Sequence, residues 1–243
     1  MLTICCQVLI IDTSQQTKHH LQTISPDLNI AVIPIGESLQ TDQDFSQVGY
    51  IRIMIRRTQI MSALLQNGIE TLLFECDFLW IKNPLEVFNS YRSKYDIVFI
   101  GNYKLPNTIN GGFIYMFPTK KTKAVLSELN NMMQNLGETI KNDRIWKLQS
   151  PFENDQFYLS KLVNDRFAGI NTIVLPLTDF VDGKWYSYSN EHRALLTPYV
   201  IHNDWLSGNK NKIARAKEWG HWFLRDDNTC DFKLVERTLN QLR

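Results

Sequence analysis

Strand-forming and helix-forming stretches alternate through the first half of this 243-residue chain, and that alternation narrows the possible folds more than any other feature. Apolar runs at 8–11, 29–35, 70–74 and 96–100 read as strands, with helical patterns at 14–24 and 46–67. Ser14 stands where a helix is capped, and Pro34 and Gly36 close the second strand. Gly68 follows the long helix in the position that favours a left-handed residue. Strands joined through helices return parallel to one another, so the pattern predicts an α/β fold with a mixed, mostly parallel sheet flanked by helices. A short helix after Pro84, a strand at 112–116, helices at 121–135 and 153–163, strands at 172–175 and 199–201, and a basic helix at 211–219 extend it in shorter pieces. No repeat or low-complexity linker interrupts the chain, so a single domain over residues 1–243 is expected.

Charge and apolar patterning remove some function classes. With 26 Lys and Arg against 25 Asp and Glu, the formal charge is +1, which argues against nucleic acid as a partner but allows a local anion site. No run of about 18 apolar residues is present, so no part of the sequence reads as a membrane span. The opening "MLTICCQVLIIDTS" lacks a basic leader and reads as a strand rather than a signal peptide. Cys5, Cys6, Cys76 and Cys230 have no metal-ligand spacing and are expected in the core.

Five short blocks could carry chemistry. In "TLLFECDFLWIKNP", Glu75 and Asp77 follow the strand at 70–74. Residues two apart on an extended segment face one side, so both carboxylates can meet one cation, and oxygen ligands suit Mg²⁺ or Mn²⁺. They can equally be two surface acids. Along the long helix, Arg52, Arg56, Gln59 and Gln66 form a polar stripe, whereas Arg57 shares its stripe with Ile53, Ile60 and Leu64. A guanidinium there needs an anion: either one of the two acids or a phosphate. In "TINGGFIYMF", Asn110, Gly111 and Gly112 precede a strand, as a tight turn or as a place where a ligand approaches backbone. Asp155 and Gln156 of "FENDQFYLSKLV" lie in the first turn of a helix, where an acid is also favourable for its own sake. In "YVIHNDWLSGNKNKI", His202 ends a strand, and Gly208 and Lys212 lead into a helix. An imidazole can ligate a metal, and a glycine turn with a lysine can cradle a diphosphate, although a surface histidine and a solvated basic face explain the same residues.

Taken in order, these blocks resemble the nucleotide-diphospho-sugar transferase family, retaining glycosyltransferases that include plant cell-wall xylosyl- and arabinosyltransferases. The likeness runs from about residue 8 to 222 and is clearest in "RRTQIMSALLQNGIETLLFECDFLWIKNP", where Arg57, Gly68, Trp80 and Pro84 keep the family's places around an Asp-x-Asp motif. The resemblance implies a GT-A fold, a nucleotide-sugar donor, a glycan or glycoprotein acceptor and a divalent ion, Mn²⁺ or Mg²⁺. It implies Asp77 as a direct metal ligand, Glu75 in the place of the family's first Asp, and His202 completing the set. Arg57 and Lys212 would touch the donor phosphates, with Gly208 beside them. Asn110, Gly111, Asp155 and Gln156 would surround the transferred sugar, Asp155 and Gln156 being the candidate nucleophiles by position.

The resemblance also implies a strand and helix ahead of residue 8 and a Golgi location with a membrane anchor. The sequence shows no such unit and no targeting segment, so a domain short of its first strand–helix unit is expected, and the cytoplasm stays open as an alternative. The rival readings are a non-catalytic sugar-nucleotide or glycan binder on the same fold and a sugar-nucleotide pyrophosphorylase. The latter needs a glycine-rich loop after the first strand, which "VLIIDTSQQTKHH" lacks. Acceptor recognition is expected in loops at 102–110, 137–152 and 178–195. There, Phe180, Trp185, Tyr186 and Tyr188 either stack on sugar rings or simply pack.

Overall fold

The computed structural model describes residues 8–12, 14–32, 48–102, 107–140 and 153–242. Cys5, Cys6, Pro34, Gly36, the ends of the expected strand at 29–35 and helix at 46–67, and parts of the two expected acceptor loops at 102–110 and 137–152 lie outside the described residues.

The elements run β1 (Leu9–Asp12), α1 (Gln15–Ile24), β2 (Asn29–Val32), α2 (Val48–Gln66), β3 (Thr71–Phe74), β4 (Phe78–Trp80), α3 (Leu85–Tyr91), β5 (Ile97–Gly101), β6 (Ile109–Met116) and α4 (Lys120–Ile140). They continue with α5 (Asp155–Asn164), β7 (Thr172–Leu175), β8 (Phe180–Val181), α6 (Asn190–Arg193), β9 (Val200–His202), α7 (Asn209–Glu218) and α8 (Phe232–Leu242). The mixed α/β architecture is the expected one. Among the described residues the pairings divide evenly: β1–β2, β5–β7 and β8–β9 are parallel, while β3–β6, β5–β6 and β4–β9 are antiparallel.

The central sheet has the order β3-β6-β5-β7. Side chains alternate along each strand, and here both faces are covered. Ile97, Phe99, Ile114 and Met116 face a helical layer built from Ile51, Met54, Met61 and Leu65 of α2 and Leu126, Leu129 and Met133 of α4. The buried residues of α2 and α4 recur every three or four positions, so each helix presents one apolar stripe to this sheet. Val98, Ile100, Phe113 and Tyr115 point the other way, onto Phe88 of α3 and onto Phe78, Phe180 and Val200 of the second sheet, β4-β9-β8. Being covered twice, β6 is buried along all eight residues.

Two differences from the sequence reading bear on function. β6 begins at Ile109, so Asn110, Gly111 and Gly112 lie in a buried strand rather than in a turn before it. A separate three-residue strand, β4, follows Asp77 directly and pairs with β9. Cys76 is exposed rather than a core thiol, because it lies in the turn between β3 and β4.

Candidate functional site

The site forms where the two sheets meet, at the end of β3. The backbone N–H of Glu75 donates to the Gly112 carbonyl (3.1 Å), and that of Asn203 donates to the Asp77 carbonyl (2.9 Å). These bonds anchor the two ends of the short turn at residues 76–77, which joins β3 to β4 between β6 and the end of β9. The β4–β9 register sets Phe78 opposite His202, and the two rings stack with centroids 3.9 Å apart. His202 is thereby fixed beside Asp77: its Nε2 lies 3.1 Å from Asp77 Oδ1 and 3.5 Å from Glu75 Oε2.

Gly112 is the floor. A Cβ there would meet Glu75 Oε2 at 2.8 Å and His202 Cε1 at 2.9 Å, so glycine is what lets both side chains lie against the strand. Asn110 sits next to it. Its Oδ1 accepts from the Gly112 N–H, and its Nδ2 donates to Asp204 Oδ2 (3.0 Å) and lies 3.2 Å from His202 Nδ1. The Gly111 N–H donates to Gln156 Oε1 (2.8 Å), which ties α5 to β6.

Two cations enter from helices. From α2, Arg57 donates Nε (3.1 Å) and Nη2 (2.5 Å) to Asp155 Oδ2, and its Nη1 lies 3.3 Å from Glu75 Oε1. The internal ion pair is therefore the arrangement adopted, with Asp155 rather than either acid of the 75–77 segment as the nearer partner. From α7, Lys212 donates Nζ to Asp77 Oδ2 at 2.6 Å. Gly208 does not touch the cluster. With φ +82° it turns the chain into α7, so it reaches the site only by starting the helix that carries Lys212. The other nine expected residues are joined in one network.

A model of the nucleotide-diphospho-sugar transferase family matches residues 8–216, a span that includes the whole network. The chain belongs to the nucleotide-diphospho-sugar transferase family. The chain is 22% identical over 195 residues to the UDP-galactose:fucoside alpha-3-galactosyltransferase of Dictyostelium discoideum, covering 76% of the chain and 30% of that relative. It is 21% identical over 241 residues to the UDP-D-xylose:L-fucose alpha-1,3-D-xylosyltransferase 1 of Arabidopsis thaliana, covering 90% of the chain and 63% of the relative. Against the Arabidopsis alpha-1,3-D-xylosyltransferase MGP4, the identity is 22% over 231 residues, with the same 90% and 63% coverage. The chain thus spans from 30% to 63% of the length of these curated relatives. Among the described residues of the transferase, no helix is long and apolar enough to cross a membrane.

Glu75, Asp77 and His202 each offer one ligand atom, and these atoms lie within 4.8 Å of one another. Neighbouring ligands on an ion with bonds of about 2.1 Å stand roughly 3 Å apart, close to the two distances measured from His202 Nε2. Two carboxylates and an imidazole suit a hard or borderline divalent cation, so the donor set fits a Mg²⁺- or Mn²⁺-type ion.

Left to themselves, these groups set one another's charge, and an ion would have to displace the proton from His202. Burial works against charge on the His202 imidazole, but hydrogen bonds to Asp77 and Glu75 and the Asp204 carboxylate outweigh it and raise the pKa to about 9. Burial pushes the Asp77 carboxyl up, yet His202 and Lys212 hold it well below the usual carboxylate range. Glu75 is also lowered, against its burial, chiefly by His202 and Arg57.

Sequence reasoning missed Asp204. Its Oδ2 faces His202 Nδ1 at 3.3 Å, and its Oδ1 accepts from the Gly183 N–H at 2.5 Å. A carboxylate on Nδ1 orients the ring and leaves Nε2 for Glu75 and Asp77, the usual outer support of a metal-ligating histidine. The adjacent acid in "HNDW" was the available signal. Tyr50 was missed as well: seven residues before Arg57 on α2, its phenol is raised by burial and then by the charge of Asp155. Of the four aromatics singled out for sugar stacking, Phe180 and Trp185 are buried packing residues, and Tyr188 stacks on His192. Tyr186 is half-buried and lines a surface cleft.

Proposed function

We propose that this chain is a metal-dependent, retaining glycosyltransferase that moves a sugar from a UDP donor to a hydroxyl of a fucoside, acting in the Golgi lumen. The observation that carries this reading is the Glu75–Asp77–His202 cluster with Lys212 against its outer edge. The acceptor and nucleotide are taken from what the matched relatives' names share, UDP and fucose; the donor sugar differs among them, galactose in one and xylose in the others.

Asp77, Glu75 and His202 would hold a divalent ion, Mn²⁺ or Mg²⁺, which when bound supplies Lewis-acid charge to the departing diphosphate. Lys212 brings an ammonium to the same edge, where it can exchange Asp77 for a phosphate oxygen as negative charge builds. Arg57 is held in place by Asp155 and extends positive charge toward Glu75. Gln156 and Asn110 fix the Gly111–Gly112 strand, which presents backbone rather than side chain to the donor sugar. Arg57 ties Asp155 through Oδ2 and draws charge from the carboxylate, whose other oxygen, Oδ1, is buried. We therefore favour same-face attack by the acceptor over a covalent sugar–enzyme intermediate.

The test is release of UDP from UDP-xylose and UDP-galactose in the presence of Mn²⁺, with and without methyl α-L-fucoside. Asp77→Asn should lower turnover by about 10²–10³-fold or more, with its far-ultraviolet circular dichroism unchanged. Wild-type turnover by that variant would remove Asp77 from the reaction. The rival, a non-catalytic binder, draws on the pairing of both Arg57 and Lys212 with protein carboxylates. It is supported by binding of Mn²⁺ and UDP without turnover of either donor.

A further inference from the structure

Helix α7, which carries Lys212, also lines an open cleft of about 610 Å³. Asn211, Ala214, Arg215 and Glu218 recur at helical spacing and form one wall; Tyr186, Trp219 and Leu206 supply apolar surface. The cleft is shallow, and it combines aromatic surface with a few polar groups, which suits a sugar ring that keeps part of its surface in water.

Three observations tie this cleft to the reaction centre. Arg215 donates Nε to Asn203 Oδ1 (2.7 Å) and Nη2 to the Asp204 carbonyl (2.5 Å), so the residue forming the cleft wall also holds the segment after His202. Gly183, another lining residue, donates to the carboxylate that orients His202. Trp205, also lining the cleft, adopts φ +66°, a conformation that bulky residues adopt only where the surroundings enforce it.

The cleft is also built. Tyr186 is locked by its hydroxyl against His221 Nδ1 (3.0 Å), and its ring faces the Arg215 guanidinium at 4.2 Å. Burial holds the His221 pKa down to about 4, so this contact is with a neutral imidazole. Arg215 keeps Nη1 without a hydrogen-bond partner among the described residues, and so does the exposed Glu218 carboxylate. A guanidinium edge and a carboxylate can donate to and accept from neighbouring sugar hydroxyls.

We propose that this cleft is the acceptor subsite and binds the fucosyl unit, a 6-deoxy sugar whose methyl group packs on the apolar surface of Leu206, Ala214 and Trp219 while its hydroxyls meet Arg215 and Glu218. The proposal rests on the transferase reading above and adds the place where the acceptor sits. A 6-deoxy sugar suits such a wall because its C6 carries no hydroxyl that would need a partner there. Methyl α-L-galactoside, which differs only by that hydroxyl, should bind less well.

The test uses the whole chain with saturating UDP and Mn²⁺, and methyl α-L-fucoside as the probe in saturation-transfer NMR and titration calorimetry. The fucoside should bind, with its C6 methyl among the most strongly saturated protons, and the galactoside should bind several-fold more weakly. Ala214→Trp fills the cleft from an exposed helix position and should weaken fucoside binding at least tenfold while Mn²⁺ and UDP bind as before. Glu218→Gln, a nearly isosteric change on the surface, should weaken it several-fold and serves if the larger substitution does not fold. Fucoside binding that is absent in the wild type, or untouched by both substitutions, overturns the cleft assignment while UDP and Mn²⁺ binding stand. Loss of UDP and Mn²⁺ binding by the wild type would instead overturn the transferase reading itself.

Discussion

Adding one methyl group at Gly112 should cost the site its ion without costing the protein its fold. A Cβ there lies 2.8 Å from Glu75 Oε2, 3.0 Å from Glu75 Cδ and 2.9 Å from His202 Cε1. Comfortable contacts between such atoms fall at about 3.5–4.0 Å, so these groups must retreat by roughly half an ångström or more. His202 cannot: it is 2% exposed and stacked on Phe78. Glu75 can, because its side chain is 42% exposed and flexible. Glu75 is then the group that leaves, and metal sites tolerate displacements of only about 0.2 Å. Losing the placement of one ligand should lower Mn²⁺ affinity by about 10–100-fold. The assay is titration calorimetry with Mn²⁺, with thermal melts to confirm that the variant is folded. Gly111→Ala is the control. Its Cβ meets Gln156 at 3.2 Å and neither carboxylate ligand nor imidazole, so Mn²⁺ affinity should stay near that of the wild type. Unchanged affinity in Gly112→Ala, or an equal loss in both variants, would refute Gly112 as the floor of the metal cluster.

Three further outcomes follow from the same network. Arg57→Met should destabilise the fold by about 3–5 kcal/mol in denaturant titration, since it strands the buried Asp155, whose Oδ1 already has no hydrogen-bond partner among the described residues; a loss below about 1 kcal/mol would make the pair no stronger than a surface one. Lys212→Ala should weaken UDP by on the order of tenfold, about 1.4 kcal/mol, while uridine is barely affected and Mn²⁺ alone binds at least as well because a competing cation has left Asp77; equal losses for UDP and uridine would place Lys212 away from the phosphates. His202, raised to about 9, stabilises the fold fully below its unfolded pKa near 6.5, and that contribution is lost as pH rises through about 9; the melting point in chelator should therefore fall over that window. Mn²⁺ needs the neutral ring, so its affinity should climb with pH across the same range by up to about tenfold per unit, and a flat affinity profile would exclude His202 as a ligand.

The strongest parts of the fold were legible because they are local. The apolar stripes of α2 and α4 need only neighbouring residues to be read; Glu75 and Asp77 do converge, but across a turn at residues 76–77 and not along an extended strand. What was not legible depends on partners distant in sequence. β4 and β8 are three and two residues long, too short for any periodicity, and exist only because β9 runs between them. The antiparallel β6 breaks the strand–helix–strand expectation because it follows β5 with no helix between them among the described residues. Asp155 reads locally as a favourable N-terminal helix charge, and its tie to Arg57 spans 98 residues. Asp204 lies inside the quoted "HNDW", but its role depends on where the β4–β9 register puts His202.

The double coverage of β6 has a kinetic consequence. Residues 114–116 are paired with β3 on one edge and β5 on the other, and apolar layers close both faces. Amide protons in such a strand exchange with solvent only when the whole domain opens. The backbone beneath the cluster therefore cannot fray by itself, and partial loosening elsewhere in the molecule would leave the ligand cradle standing until the last cooperative step.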